Sequence, residues 1–207
     1  MRVIATAADL EEGAAHLAQV SPIWARVLPE IGPLPLRRRE DGFAAILSAV
    51  VSQQLSTHAA EAIAARLAEA GLTEAGSIAS AADEALRACG LSGPKIRYLR
   101  GIAEAAPDWH RLRALPDDEA AALLVALPGI GQWTADIYLM FALGRADAFA
   151  AGDLALQESA RLLFDLPARP RPAALVELAE PWRPWRSVAA RALWAYYRVA
   201  KGREGIR

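Results

Sequence analysis

A chain of 207 residues that is 54% hydrophobic and 23% charged can bury one large core or two small lobes sharing a cleft, which excludes a disordered polymer. Its formal net charge of −1, from 23 basic and 24 acidic side chains, excludes binding modes that need a global basic surplus and leaves only local basic rims. A single cysteine, Cys89, excludes an internal disulfide and the four thiolates of an iron–sulfur cluster.

The apolar runs are broken by charge well before membrane-spanning length, and MRVIATAADLEEG has no long apolar secretory core. The expected location is therefore the cytoplasm, without a membrane partner. No stretch alternates apolar and polar residues between turn signals, so the whole chain reads as helical. Residues 6–19 form an amphipathic helix with Leu10, Ala14, Leu17 and Ala18 on one face, and Ser21-Pro22 opens a short helix that ends near Pro29 and Gly32. GPLPLRRRED is loop. Phe43, Ile46, Leu47, Val50 and Val51 give the next helix a wide buried face. Ser52-Gln53-Gln54-Leu55 ends it, and Ser56 caps a further helix that stops at Gly71.

Two short helices follow over 73–79 and 80–89, the second capped by Ser80, and Gly93-Pro94 opens a helix that buries Ile96, Leu99, Ile102 and Ala103. Lys95 sits in its first turn, against the dipole, and is either an indifferent surface residue or a phosphate contact. Asp108 and Asp117 read as caps, the latter of DEAAALLVAL. LPGIGQWTADIYLMFALG then turns through Gly129 and Gly131 into a helix with Trp133, Ile137, Met140 and Phe141 on one face, closed by Gly144. Glycines leave amide N–H groups uncovered and a helix start adds orphan donors, a combination that suits a phosphate; a plain helix–helix turn uses glycine as well. Asp136, in mid-helix, reads as a surface acid. Asp153 heads LALQESARLLFDL, 20 residues after Trp133. Helices over AALVELAE and WRSVAARALWAYYRVA complete the chain, and His16, His58 and His110 show no metal-ligand spacing.

LPGIGQWTA, with Asp153 at this spacing, resembles the helix-hairpin-helix element of the DNA glycosylase superfamily named for that hairpin and a Gly-Pro-rich loop ending in Asp (HhH-GPD), in its DNA-3-methyladenine glycosylase II branch. FAAILSAVVSQQLSTHAA, GLSGPKIRYLRGIA and PWRSVAARALWAYY resemble further segments of that branch, so the likeness spans most of residues 42–200. One departure is Gly152, where many relatives carry a second acid before the aspartate. The expected fold is all-α, with two helical lobes formed by residues 1–41 with 154–207 and by residues 42–153, the helix-hairpin-helix and Asp153 at their junction, and no iron–sulfur cluster.

The resemblance implies Asp153 as the catalytic residue, its charge stabilising an oxocarbenium-like sugar and positioning a water. It implies a base pocket of Trp133, Tyr138 and Trp185, stacking on an electron-poor methylated base. Gln54, with Leu55, corresponds to the wedge that fills the gap left by a flipped nucleotide. Gln53, Ser56, Lys95, Gly129, Ile130, Gly131 and Thr134 complete the DNA-binding set. Trp133 stands where bifunctional relatives carry a Schiff-base lysine, which implies a monofunctional enzyme releasing alkylated purines such as 3-methyladenine and leaving an abasic site. The implied partner is double-stranded DNA containing a damaged base, met on the nucleoid by a monomer. No cofactor is implied beyond a Na+ or K+ ion on the backbone of Leu127 and Ile130. Two alternatives stand beside this reading: a non-enzymatic helix-hairpin-helix module that only anchors to DNA, which gives Asp153 and the SQQLS corner no role, and a glycosylase of the same fold for oxidised or deaminated bases.

Overall fold

Alanine and leucine recurring every three or four residues fold most of the chain into short helices, and residue types at the helix starts set where many of them begin. The computed structural model describes residues 1–202. Among these lie α1 (Ala7–Val20), α2 (Pro22–Ile31), α3 (Phe43–Ser52), α4 (Thr57–Glu69), α5 (Ala75–Ser80), α6 (Asp83–Ala88), α7 (Gly93–Ala105), α8 (Trp109–Ala114), α9 (Asp117–Val125), α10 (Gln132–Phe141), α11 (Leu154–Leu163), α12 (Pro172–Ala179) and α13 (Arg186–Lys201), with a 3-10 turn at Glu180–Trp182. The described residues contain no strand, only an isolated bridge between Val3 and Arg145. No helix among them is long and apolar enough to cross a membrane.

Two helix boundaries differ from expectation. Ser80 does not cap α6: its Oγ donates to the Gly76 carbonyl at 2.9 Å inside α5, and α6 starts at Asp83, with Asp83 and Glu84 placed to complement its dipole. Pro116 takes the cap position of α9, leaving Asp117 as the first helical residue. The second helix continues through Pro29 to Ile31 before Gly32, at φ 71°, ends it.

The chain divides into two units, one made of Met1–Arg38 with the chain from Leu139 onward, the other of Arg39–Tyr138. The second crossing falls inside α10, so residues 139–153, expected in the central lobe, belong with the termini. Local pairing explains this. Ile4 N donates to the Gly144 carbonyl at 2.7 Å, Ala146 N to Arg2 at 3.1 Å and Ser187 N to Ala146 at 2.9 Å, while Phe141 packs on Trp194 with centroids 5.9 Å apart.

In the terminal unit, α1, α2 and α11 pack on α13. A Cβ at Gly13 would lie 2.5 Å from Val188, so the α1–α13 approach requires glycine there. Trp24 is fully buried, edge-on to Phe164 and Trp182 at 5.6 and 5.3 Å; such pairs contribute roughly 0.5–1.5 kcal/mol each beyond area burial. In the central unit, α7 buries Ile96, Leu99 and Ile102 and packs against α3, α5 and α6.

Candidate functional site

Within the central unit, α9 and α10 are joined by the tight turn 126–131. Leu127 N donates to Leu124 at 3.0 Å, and Ile130 N to Leu127 at 3.2 Å. Gly129 has φ 74°, and a Cβ there would sit 2.3 Å from the Tyr98 ring, so backbone conformation and packing both demand glycine. Gly131 answers a different need. No atom lies within 4 Å of where its Cβ would be. Its carbonyl accepts from Ala135 N at 3.0 Å, which makes it the N-cap of α10. A cap residue without a side-chain oxygen cannot satisfy the first-turn N–H groups itself, and an acceptor from outside suits them. Ile130 and Thr134 are both buried, so only their backbone faces this task.

The corner after α3 lies in the same unit. Ser56 Oγ accepts from Ala59 N at 3.3 Å and caps α4 as its residue type predicts. Gln53 Nε2 donates to the Gly129 carbonyl at 3.0 Å, tying the corner to the hairpin turn. Gln54 is left-handed at φ 57°, a conformation costing about 1–2 kcal/mol for a residue with a Cβ. Its side chain is exposed, and Leu55 beside it leaves 40% of its surface exposed. A strained corner with an apolar tip in solvent gains nothing from internal packing and is a candidate contact surface. Lys95 is not an indifferent surface residue: Nζ donates to the carbonyls of Val51 and Gln53 at 2.7 and 2.9 Å, binding the end of α3.

Of the three aromatic residues expected in a base pocket, Trp133 keeps 36% of its surface exposed. Tyr138 does not present a free face. It is buried, its hydroxyl accepts from Gly42 N at 2.8 Å, and its ring lies 6.0 Å from that of Trp109. Burial pushes its phenol up to about 12. Trp185 is likewise corrected: only 2% exposed, it lies against Gly13 of α1 and beneath the Arg2 guanidinium, 4.7 Å from the ring centroid.

Asp136, one turn beyond Trp133, is not the plain surface acid expected. Gln132 Nε2 donates to its carboxylate at 2.8 Å, yet burial dominates and raises its pKa to about 6. The fold thus favours its protonated form, and that stability is lost as pH rises from about 4 through about 6, on the order of 3 kcal/mol at full ionisation. Asp136→Asn keeps an acceptor for Gln132 and is expected to stabilise the protein by about 1–3 kcal/mol at pH 7.5 while leaving it unchanged near pH 4. Thermal melts at the two pH values check this; a variant less stable than its parent at pH 7.5 contradicts it. A carboxyl held at such a cost beside Trp133 is a functional candidate that helix position alone did not reveal.

In the terminal unit, Asp153 is 7% exposed and caps α11. Its Oδ1 accepts from Ala155 N and Leu156 N, both at 2.9 Å, and from Trp194 Nε1 at 3.2 Å. The preceding loop is fixed by Asp153 N on Ala150 at 2.9 Å and by Gln157 Nε2 on Ala151 at 2.9 Å. The carboxylate therefore has a set orientation at a helix N-terminus, where negative charge is favoured. The donor role of Trp194 depends on a partner 41 residues away, which helical spacing does not reveal. Leu154, directly after the aspartate, is 62% exposed.

Residues 47–184 match the HhH-GPD superfamily of base excision DNA repair proteins. The chain is 30% identical to DNA-3-methyladenine glycosylase 1 of Schizosaccharomyces pombe, over 96% of this chain and 92% of that protein. Among solved structures, the S. pombe 3-methyladenine DNA glycosylase in complex with abasic DNA aligns with a TM-score of 0.79 at 30% identity, over 95% of this chain and 100% of that one. A DNA-3-methyladenine glycosidase from Bacillus halodurans aligns with a TM-score of 0.80 at 31% identity, over 92% and 91%. With its hairpin, its SQQLS corner and its capping aspartate in place, the chain belongs to the HhH-GPD superfamily of base excision DNA repair proteins, in the DNA-3-methyladenine glycosylase branch.

Proposed function

We propose that this protein is a monofunctional DNA glycosylase of base excision repair, which extrudes an alkylated purine such as 3-methyladenine from double-stranded DNA and hydrolyses its N-glycosidic bond. The observation that carries this reading is Asp153, oriented by three N–H donors on one oxygen and placed 20 residues after Trp133. Breaking the bond gives the sugar oxocarbenium character, which a fixed carboxylate stabilises while orienting the attacking water. An alkylated purine already carries positive charge and leaves neutral, so no general acid is needed.

Trp133, exposed beside the hairpin turn, is the aromatic side chain that would stack on the base. The first turn of α10, capped by Gly131, would receive a backbone phosphate, and Gln54 with Leu55 would fill the gap in the stack. A Na+ or K+ ion on the carbonyls of Leu127 and Ile130 would add positive charge for that phosphate. The Leu127 carbonyl already accepts from Ile130 N at 3.2 Å and keeps a second lone pair for such an ion. No lysine stands at the Schiff-base position, and Lys95 has its amine bound to two carbonyls, which supports hydrolysis without a covalent intermediate. The enzyme would act as a monomer on the nucleoid, within the cytoplasm.

The test is to incubate the purified protein with duplex DNA carrying one alkylated adenine and to assay free base and strand breaks separately. Base release with strand breakage only after alkali is the expected result. Direct strand cutting overturns the monofunctional assignment, and tight binding with no base release points to a module that only anchors to DNA.

A further inference from the structure

The end of α3 is held by a cation that gains nothing from its own helix. Lys95 lies in the first turn of α7, where positive charge opposes the dipole, and burial lowers its pKa by disfavouring the charged form. The return lies 42 and 44 residues away, where Nζ spans the carbonyls of Gln53 and Val51, acceptors of the kind a helix end leaves without intrahelical partners. An ammonium bridging the carbonyls on either side of Ser52 fixes the backbone there. The next residue after that bridge is Gln54, at φ 57°, a conformation that an unconstrained chain would leave for the right-handed region. Leu55 N closes the corner on the Ser52 carbonyl at 3.2 Å.

The same face of α7 also meets the hairpin turn. Tyr98, one turn beyond Lys95, lies so close to Gly129 that a Cβ there would fall inside van der Waals range of its ring, and Gly101, a further turn on, faces Pro128, whose Cγ would lie 3.0 Å from a Cβ at that position. Gln53 Nε2 on the Gly129 carbonyl closes the loop between corner and turn. We propose that Lys95 is a positioning residue for base extrusion: from α7 it fixes the α3 corner so that Gln54 and Leu55 are presented in register with the hairpin turn. This rests on the reading of Gln54 and Leu55 as the wedge.

The test compares single-turnover base release from two duplexes, one with the alkylated adenine opposite thymine and one with it opposite an abasic site, where no partner holds the base in the stack. Lys95→Met is expected to slow release from the paired duplex by about 10–100-fold and from the unpaired one by no more than about 3-fold, because extrusion is cheaper there. Gln54→Ala is expected to give the same pattern. An equal loss on both duplexes, or parental rates on the paired one, overturns the assignment of Lys95. If that equal loss comes with a log–log salt slope reduced by about one, Lys95 is a phosphate contact instead. Should Lys95→Met not fold, Lys95→Gln, which retains a donor for one carbonyl, is read by the same two criteria. If Gln54→Ala shows no pairing-dependent loss, the wedge reading fails and this proposal with it. A pairing-dependent Gln54→Ala beside a pairing-independent Lys95 variant removes the proposal alone.

Discussion

Asp153→Asn is expected to slow release of an alkylated adenine by at least about 10²-fold while leaving the fold in place. The substitution separates two jobs that one side chain performs. As a cap, Asp153 accepts from Ala155 N, Leu156 N and Trp194 Nε1 through a single oxygen. Asparagine keeps an oxygen at that place and is as good a cap as aspartate, so stability is expected to change by less than about 1 kcal/mol. As a charge, the carboxylate is lost outright. Asp153→Ala makes the contrast sharp, because it strands three donors and removes a cap contributing roughly 0.5–2 kcal/mol. Single-turnover release, thermal melting and binding to an abasic duplex, measured on parent and both variants, distinguish the roles. Parental release by Asp153→Asn would remove Asp153 from the chemistry; a melting temperature as low as that of Asp153→Ala would show that the asparagine failed as a cap and that the kinetic comparison reports folding.

What could be read from the sequence follows from how local each feature is. Ser56, Asp108 and Asp153 cap their helices because a short oxygen-bearing side chain before an apolar-periodic run can serve its own backbone, with no distant partner needed. The hairpin turn was legible for the same reason, its glycines and helix start being consecutive. Features set by distant partners were not. An aromatic residue near a resembling motif could line a pocket or fill core, and Tyr138 and Trp185 filled core because Gly42 and Gly13, far along the chain, meet them. Within α7 the role of Lys95 stayed open between surface residue and phosphate contact, since the carbonyls it binds lie at the end of α3. Asp136 looked solvated because helical spacing gives a face but not its depth. The unit boundary inside α10 was illegible too, as the pairing of Ile4 and Arg2 with Gly144 and Ala146 joins segments about 140 residues apart.

The two hairpin glycines are expected to respond oppositely to alanine. Gly129→Ala puts a Cβ on a residue at φ 74° and 2.3 Å from the Tyr98 ring. The conformation costs about 1–2 kcal/mol, and displacing an α7 ring that lies against the turn adds to it, for a total of roughly 3 kcal/mol, or a melting temperature lower by about 6–12 °C in a chain of this size. Gly131→Ala meets no atom within 4 Å and is expected to change stability by no more than about 1 kcal/mol, the difference between glycine and alanine at an N-cap. Its methyl group would instead stand before the first-turn donors of α10, and affinity for duplex DNA is expected to fall by about 10-fold or more. Thermal melts and binding titrations at fixed salt give both readouts. A Gly131→Ala protein that binds DNA as its parent does would take the phosphate away from this turn. One that melts like Gly129→Ala would mean that both glycines serve only the backbone. In sequence the two residues are interchangeable halves of one Gly-Ile-Gly pattern; the space around each Cβ position separates a glycine the fold requires from one whose open side is free for a ligand.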